Sequence, residues 1–217
     1  ISGSYCFGDI QPGEYLLYEG QPDFYNSVSD YDISTGPLDD DGQPGLYDPD
    51  NTIPVSLLPN ELDADNNFVE DPFPGVISGY VHDELDLGIP GVLISLYNDI
   101  NGDGQADSTS IATANTNGNG DYVFNGVEPG IYVLIEESTE SFLDISDYDH
   151  STTGTDSDGN DLAEGPDNDI PVILTPAETD EGNHFIKGRP GSICGTVQDD
   201  NSQAISIIEV KLFADNN

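Results

Sequence analysis

Residues 4–19, SYCFGDIQPGEYLLYE, and residues 121–136, DYVFNGVEPGIYVLIE, are two versions of one segment. Tyr5, Phe7, Pro12, Gly13, Tyr15 and Glu19 recur as Tyr122, Phe124, Pro129, Gly130, Tyr132 and Glu136. An internal repeat constrains a fold more than any composition figure, because every copy must bury the same face. The offset of 117 between Tyr5 and Tyr122 holds through SDYD (29–32 and 146–149) and through PDNTIPV (49–55) against PDNDIPV (166–172). Beyond Phe68 and Phe185 one residue drops out. An offset of 116 then relates ISGYV (77–81) to ICGTV (193–197) and VLISLYNDIN (92–101) to IEVKLFADNN (208–217). One copy is complete, at about 75–189. The other is split: 1–74 is its C-terminal part, and 190–217 holds the first strands of the next, or split, repeat. Only positions 102–117 lack a counterpart, so the chain amounts to two repeats opened in one loop. Each is the size of an ordinary domain.

Within a repeat the apolar residues alternate. Val92, Ile94 and Leu96 share one side of a segment, Tyr122 and Phe124 flank Val123, and Tyr132 pairs in phase with Leu134. Ile170, Val172 and Leu174 repeat the pattern. A period of two means strands with one face on a core, and clusters of Gly, Pro, Asn and Asp separate the runs. The expectation is all-β: tandem immunoglobulin-like sandwiches of seven or eight short strands per repeat.

Charge is the second constraint. The chain carries 43 acidic and 3 basic residues, a formal charge of −40. Repulsion on that scale opposes compaction, and such a balance often marks disorder, but 8 Phe and 11 Tyr set in alternating runs predict a folded chain. Divalent cations would neutralise it; adaptation to high salt is the other account. Nucleic acid and anionic membrane surfaces call for Lys and Arg and are excluded as partners. No apolar run reaches the length of a membrane span. With no Met present, the chain is expected to be a processed product or a window of something longer.

The loop after Val92–Tyr97 reads NDINGDGQAD (98–107). Asp99, Asn101, Asp103 and Asp107 present side-chain oxygens at the spacing of the first part of a calcium loop, with Gln105 offering its carbonyl and Gly104 the turn. Ser110 stands where an EF-hand would place its bidentate Glu, and no helix flanks the loop. A solvated turn rich in Asx residues is the other reading. Asp215 and Asn217 open the same loop in the split copy. A second acidic stretch recurs: Asp147, Asp149, Asp156, Asp158 and Asp167 match Asp30, Asp32, Asp39, Asp41 and Asp50. It reads as a second ion site or as a long solvated loop.

The frame ISGYV, then GIPGVLISLYND, NGDGQAD and TANTNGNGDYVFNGVEPGIYVLIEE, resembles the B-type repeats of bacterial surface adhesins. These are the calcium-binding B repeats of serine–aspartate-repeat proteins and, more distantly, the collagen-adhesin B-type domains. The resemblance covers nearly the whole chain. It implies a prealbumin-like sandwich, Ca2+ at the NDINGDGQAD loop, and a stalk module of a secreted or cell-surface protein. Collagen-adhesin domains often carry a Lys–Asn crosslink. The complete repeat has a single lysine, Lys187, near its far end and none in its first strand, so that feature is not carried over.

No catalytic constellation can be assembled. His82, His150 and His184 match Gln198, Ile33 and Asn67, so none recurs, and all three are expected at the surface. Glycosidase-type acid pairs need an apolar pocket, and the acids here lie in turn-rich stretches. The chain is not expected to be an enzyme. Cys6 matches Val123 and Cys194 matches Ser78, so both cysteines belong to the split copy and both should point outward from their strands. Reassembly of that copy would allow a disulfide in an oxidising extracellular setting; two unrelated thiols is the other reading. Reassembly can come from covalent continuation in a tandem array. Alternatively, the 190–217 segment of one chain complements the 1–74 part of the next, head to tail. The function expected is a structural, calcium-stabilised repeat of an extracellular filament or adhesin stalk. A ligand-binding adhesin domain is the alternative.

Overall fold

The computed structural model describes residues 3–32, 45–47, 50–137, 142–149 and 166–213, with only the backbone placed for 31–32, 45–47 and 148–149. Five strands lie in the first part: β1 (Gly13–Tyr18), β2 (Tyr25–Asp32), β3 (Gly45–Tyr47), β4 (Thr52–Leu57) and β5 (Asn66–Pro72). Eight form the complete repeat: β6 (Gly75–Asp83), β7 (Leu93–Asn98), β8 (Ala112–Asn115), β9 (Asp121–Val127), β10 (Gly130–Glu136), β11 (Leu143–Asp149), β12 (Asp169–Leu174) and β13 (Thr179–Gly188). No helix occurs among the described residues, and so none long and apolar enough to cross a membrane.

The complete repeat is a sandwich of two four-stranded sheets, ordered β12-β10-β7-β8 and β11-β13-β6-β9. Pairing is antiparallel except between β13 and β6. The alternation read from the sequence is the core: Val92, Ile94, Leu96, Tyr122, Phe124, Tyr132, Leu134, Ile170, Val172 and Leu174 are all buried, with Ile77, Val81 and Phe185 between them. Val123, Ile131 and Ile173 point to solvent on the alternate face. β6 lies between β13 and β9, and its Gly79 is a fitted position: a Cβ there would lie 1.7 Å from the carbonyl oxygen of Asn183.

The split copy repeats this plan as far as its strands go. β1 pairs with β4 as β10 pairs with β12, and β2 pairs with β5 as β11 pairs with β13. Even the irregularity is shared: the register shift between Ser27 and Ser29 answers that between Asp144 and Ser146. The segments equivalent to β6 and β7, within 191–213, form no strand. Every described residue from 189 to 213 is exposed, and apart from one isolated bridge between Gln198 and Ala204 no strand pairing is made there, whereas Ile53 and Val55 of the split copy are buried. Phe7 is 65% exposed where its equivalent Phe124 is 5% exposed.

Candidate functional site

The signature Pro-Gly-x-Tyr is a corner. Tyr132 Oη donates to the Glu128 carbonyl at 2.6 Å, and Tyr15 Oη donates to that of Gln11 at 2.5 Å. The glycine is needed because the ring lies against it: a Cβ on Gly130 would meet the Tyr132 ring at 3.0–3.2 Å. The motif therefore pins the turn between β9 and β10 and carries no chemistry of its own.

The 98–107 loop closes on itself through its acids. Asp99 is buried, and its carboxylate accepts from the backbone N–H groups of Gly102 (2.8 Å), Asp103 (3.1 Å) and Gly104 (2.8 Å). Asp107 accepts from Ile100 (2.8 Å) and Asn101 (3.2 Å), and Asp103 accepts from Gln105 (3.0 Å). Gly102 and Gly104 take φ of 71° and 79°, which lets the backbone wrap around Asp99. Asn101 accepts from the Asp103 N–H at 2.9 Å. The four residues singled out from spacing thus share one loop offering hard oxygen donors. Among the described residues no three His, Cys, Asp or Glu side chains converge as a ready metal-ligand group.

The second acidic stretch has a structural role at two of its positions. Asp147 is buried, and its Oδ2 accepts from the Asn168 N–H at 2.6 Å. Asp30, its equivalent, accepts from the N–H groups of Asp50 (3.1 Å) and Asn51 (2.8 Å). Asn168 and Asn51 sit at φ of 68° and 62°, so each acid clamps the left-handed turn of a PDN motif. Asp167 and Asp50 are exposed on those turns. Asp149 and Asp32 end strands of which only the backbone is described, and Asp39, Asp41, Asp156, Asp158, Asp215 and Asn217 lie outside the described residues.

Sequence reasoning passed over the most unusual cluster. Lys187 is 1% exposed. Its Nζ stands 2.6 Å from Glu136 Oε2, touches Asp144 Oδ1, and donates to Asn168 Oδ1 at 3.2 Å. These groups close one end of the core between the sheets. Burial pushes the Glu136 carboxyl up to about 7; Lys187 pulls it back down, while Asp144 and Asp147 raise it further. Burial likewise raises Asp147 to about 6, against the pull of the Asn168 N–H and Lys187. One signal was available: Glu136 follows Tyr132 and Leu134 in phase, which aims it inward. The register makes Glu70 of the split copy the equivalent of Lys187, paired to Ser27 as Lys187 is to Asp144. There Glu19 meets a second acid instead of an ammonium, and burial together with Glu70 and Asp30 raises its carboxyl.

The histidines depart from expectation in part. His82 is 8% exposed, its ring 4.7 Å from that of Tyr80, so it is a packed residue and not a surface one. Its ring also stands 6.5 Å from that of His184 on β13, and its Nδ1 lies 3.4 Å from Asp86 Oδ1. His184 is half-buried against Tyr80, and His150 lies outside the described residues. Cys6 and Cys194 are exposed and not bonded to each other within the chain.

A sandwich with this strand order, a tyrosine corner in each copy and a frame repeated every 116–117 residues define the class: the chain is a B-type repeat segment of the bacterial surface-adhesin kind. Over 172 residues it is 30% identical to serine-aspartate repeat-containing protein F of Staphylococcus epidermidis, a match covering 73% of this chain and 9% of that protein. The same protein from strain ATCC 12228 matches at 30% over 172 residues, 10% of its length. The chain thus spans at most a tenth of the curated relatives it matches. No family model matches it. Among solved structures, the major pilin SpaD of Corynebacterium diphtheriae shares 13% identity at a TM-score of 0.34, over 54% of this chain and 30% of the pilin. The minor pilin GBS52 of Streptococcus agalactiae shares 12% at 0.34, over 85% and 92%. Likenesses of that strength carry no argument about function.

Proposed function

We propose that the chain is a structural, non-catalytic module of a cell-surface stalk or filament, built from head-to-tail repeats and stiffened by Ca2+. One observation carries the reading: both copies preserve the same scaffold contacts, namely the tyrosine corner, the Asp clamp on the PDN turn and the bulged β2–β5 and β11–β13 pairs. What recurs is frame rather than a binding pocket, as a spacer requires. Homology to a much longer repeat protein agrees with it.

Asp99, Asn101, Asp103, Asp107 and the Gln105 carbonyl would hold the ion. The donor set suits a hard cation, which takes about 6–8 oxygens at flexible geometry. Bound Ca2+ would offset the carboxylate charge of the loop and tie it to the end of β7. Electron microscopy with calcium and with chelator tests the assembly. Thin filaments one domain wide, with a two-domain axial repeat, are expected; single compact particles under all conditions would overturn it. Thermal melting tests the ion: a rise in Tm with Ca2+ and not with Mg2+ is expected, because Mg2+ dehydrates reluctantly and demands stricter geometry. A calorimetric stoichiometry above one ion per chain would bring in the second acidic stretch.

A further inference from the structure

The two copies hold the same pocket with opposite charge at one position. In the complete repeat Lys187 stands among Glu136, Asp144 and Asn168, and its charge also reaches Asp147. By repeat and register the counterparts are Glu19, Ser27, Asn51 and Asp30, with Glu70 at the place of Lys187. All of these lie on strands or turns present in both copies, so the comparison uses no other part of the repeat. Where the complete repeat sets an ammonium among its oxygens, the split copy sets a further carboxylate.

That pocket holds acceptors without donors. Gln21 Nε2 donates to Glu70 Oε2, and Asn51 Nδ2 donates to Gln21 Oε1 at 3.1 Å. Asp30 Oδ2 accepts from the N–H groups of Asp50 and Asn51. These bonds use one side of each group. On the other side Glu70 Oε1, Asn51 Oδ1 and Asp30 Oδ1 are buried with no hydrogen-bond partner, as are Glu19 Oε2 and Ser27 Oγ. Asp30 is the sharpest case, because the whole residue has no exposure and a buried carboxylate oxygen left unpaired is costly. The acids bear on one another: burial, then the charges of Glu70 and Asp30, raise the Glu19 carboxyl. No basic side chain of the chain is free to answer them. The 3 it has are Lys187 in the other pocket, Arg189 at 2.6 Å from Asp83, and Lys211 at 3.3 Å from Glu209.

We infer that this pocket binds a hard divalent cation of the calcium kind through Glu19, Asp30, Glu70, Asn51 and Ser27, at the place Lys187 Nζ takes in the complete repeat. The donors are all oxygens, which suits an ion that takes about 6–8 of them at flexible geometry and completes its shell with water. The acids do not stand as a tight ligand triad. Like charges repel at short range, and a cation is what draws them in. The ion does for the split copy what the ammonium does for the complete repeat: it joins the end of β1 to β2, β5 and the PDN turn. This site is separate from the 98–107 loop, and neither reading depends on the other.

Titration of the full chain with calcium chloride, followed by amide proton–nitrogen NMR, reads both places at once. The amides of Glu19, Asn51 and Glu70 report this pocket, and those of Gly102, Asp103 and Gly104 report the loop. Saturable shifts at the pocket amides are expected, with no matching response to sodium chloride at equal ionic strength. Glu70→Lys should abolish them, leave the response of the loop unchanged, and raise the calcium-free Tm toward that of calcium-loaded wild type. Glu70→Gln and Glu19→Gln add no ammonium and should weaken binding about tenfold or more, without that gain in Tm. Shifts at Gly102–Gly104 with none at Asn51 overturn this site and leave the loop reading standing. Shifts at Asn51 with none in the loop overturn the loop reading and support this site. Pocket shifts that sodium chloride reproduces are charge screening and overturn the site, as do pocket shifts that survive Glu70→Lys unchanged.

Discussion

Replacing Lys187 with Met tests the account of the buried cluster most directly. The thioether preserves most of the stem's packing and removes only the ammonium. What remains is Glu136, whose side chain has no exposure, with no cation beside it. Removing one partner of a buried pair costs about 3–5 kcal/mol. Protonation sets an independent ceiling. Neutralising a carboxyl of ordinary pKa near 4.5 costs about 5 kcal/mol at pH 8 and under about 1 kcal/mol at pH 5. The variant should therefore lose about 3–5 kcal/mol at pH 8 and about 2 kcal/mol or less at pH 5, the residue being the lost pairing with Asp144. Urea unfolding of the full chain, followed by near-ultraviolet circular dichroism, reads the difference. Adding Glu136→Leu should recover at least about 2 kcal/mol at pH 8, since an apolar pair fills the space without an orphaned charge. A single variant that costs under about 1 kcal/mol at pH 8, or two costs that simply add, would refute the reasoning. The split copy argues that the fold tolerates the change, since it holds Glu19 and Glu70 at the same place.

The raised carboxyls also give the wild type a pH dependence. The folded state holds protons on Glu136 up to about 7 and on Asp147 up to about 6, from ordinary values of 4.5 and 3.8, so these groups make stability fall as pH rises through those windows; urea midpoints between pH 4 and 8 would show it. Gly79→Ala places a methyl against the Asn183 carbonyl and should cost more than about 3 kcal/mol by the same assay. Asp99→Ala should cost about 2–3 kcal/mol without calcium, because three backbone N–H groups lose their acceptor, and should also abolish any gain in Tm on adding calcium. Asp147→Ala frees the Asn168 turn and should cost about 1–2 kcal/mol, seen as faster amide exchange at Asn168.

Much of the architecture was legible because it is periodic. Alternation placed Val92, Ile94, Leu96, Tyr132 and Leu134 in the core, since side chains on a strand can face only two ways. The repeat exposed the split, and through it the equivalence of Cys194 with Ser78 and of Cys6 with Val123. Spacing likewise brought Asp99, Asn101, Asp103 and Asp107 into one loop, because they lie within nine residues of each other. The ion cluster was not legible: Lys187, Glu136, Asp144 and Asn168 come from four separate segments, and only the packing of one sheet on the other brings an ammonium to those oxygens. The same is true of His82, which is buried beside His184, a residue far away in the sequence on the neighbouring strand β13. Nor could spacing tell that Asp147 and Asp30 serve backbone turns, because a carboxylate that clamps N–H groups is the same residue in a sequence as one awaiting a cation. Local pattern determined which residues face inward; the tertiary structure alone decided which inward-facing charges meet, because that outcome depends on contacts between segments that sequence distance does not encode.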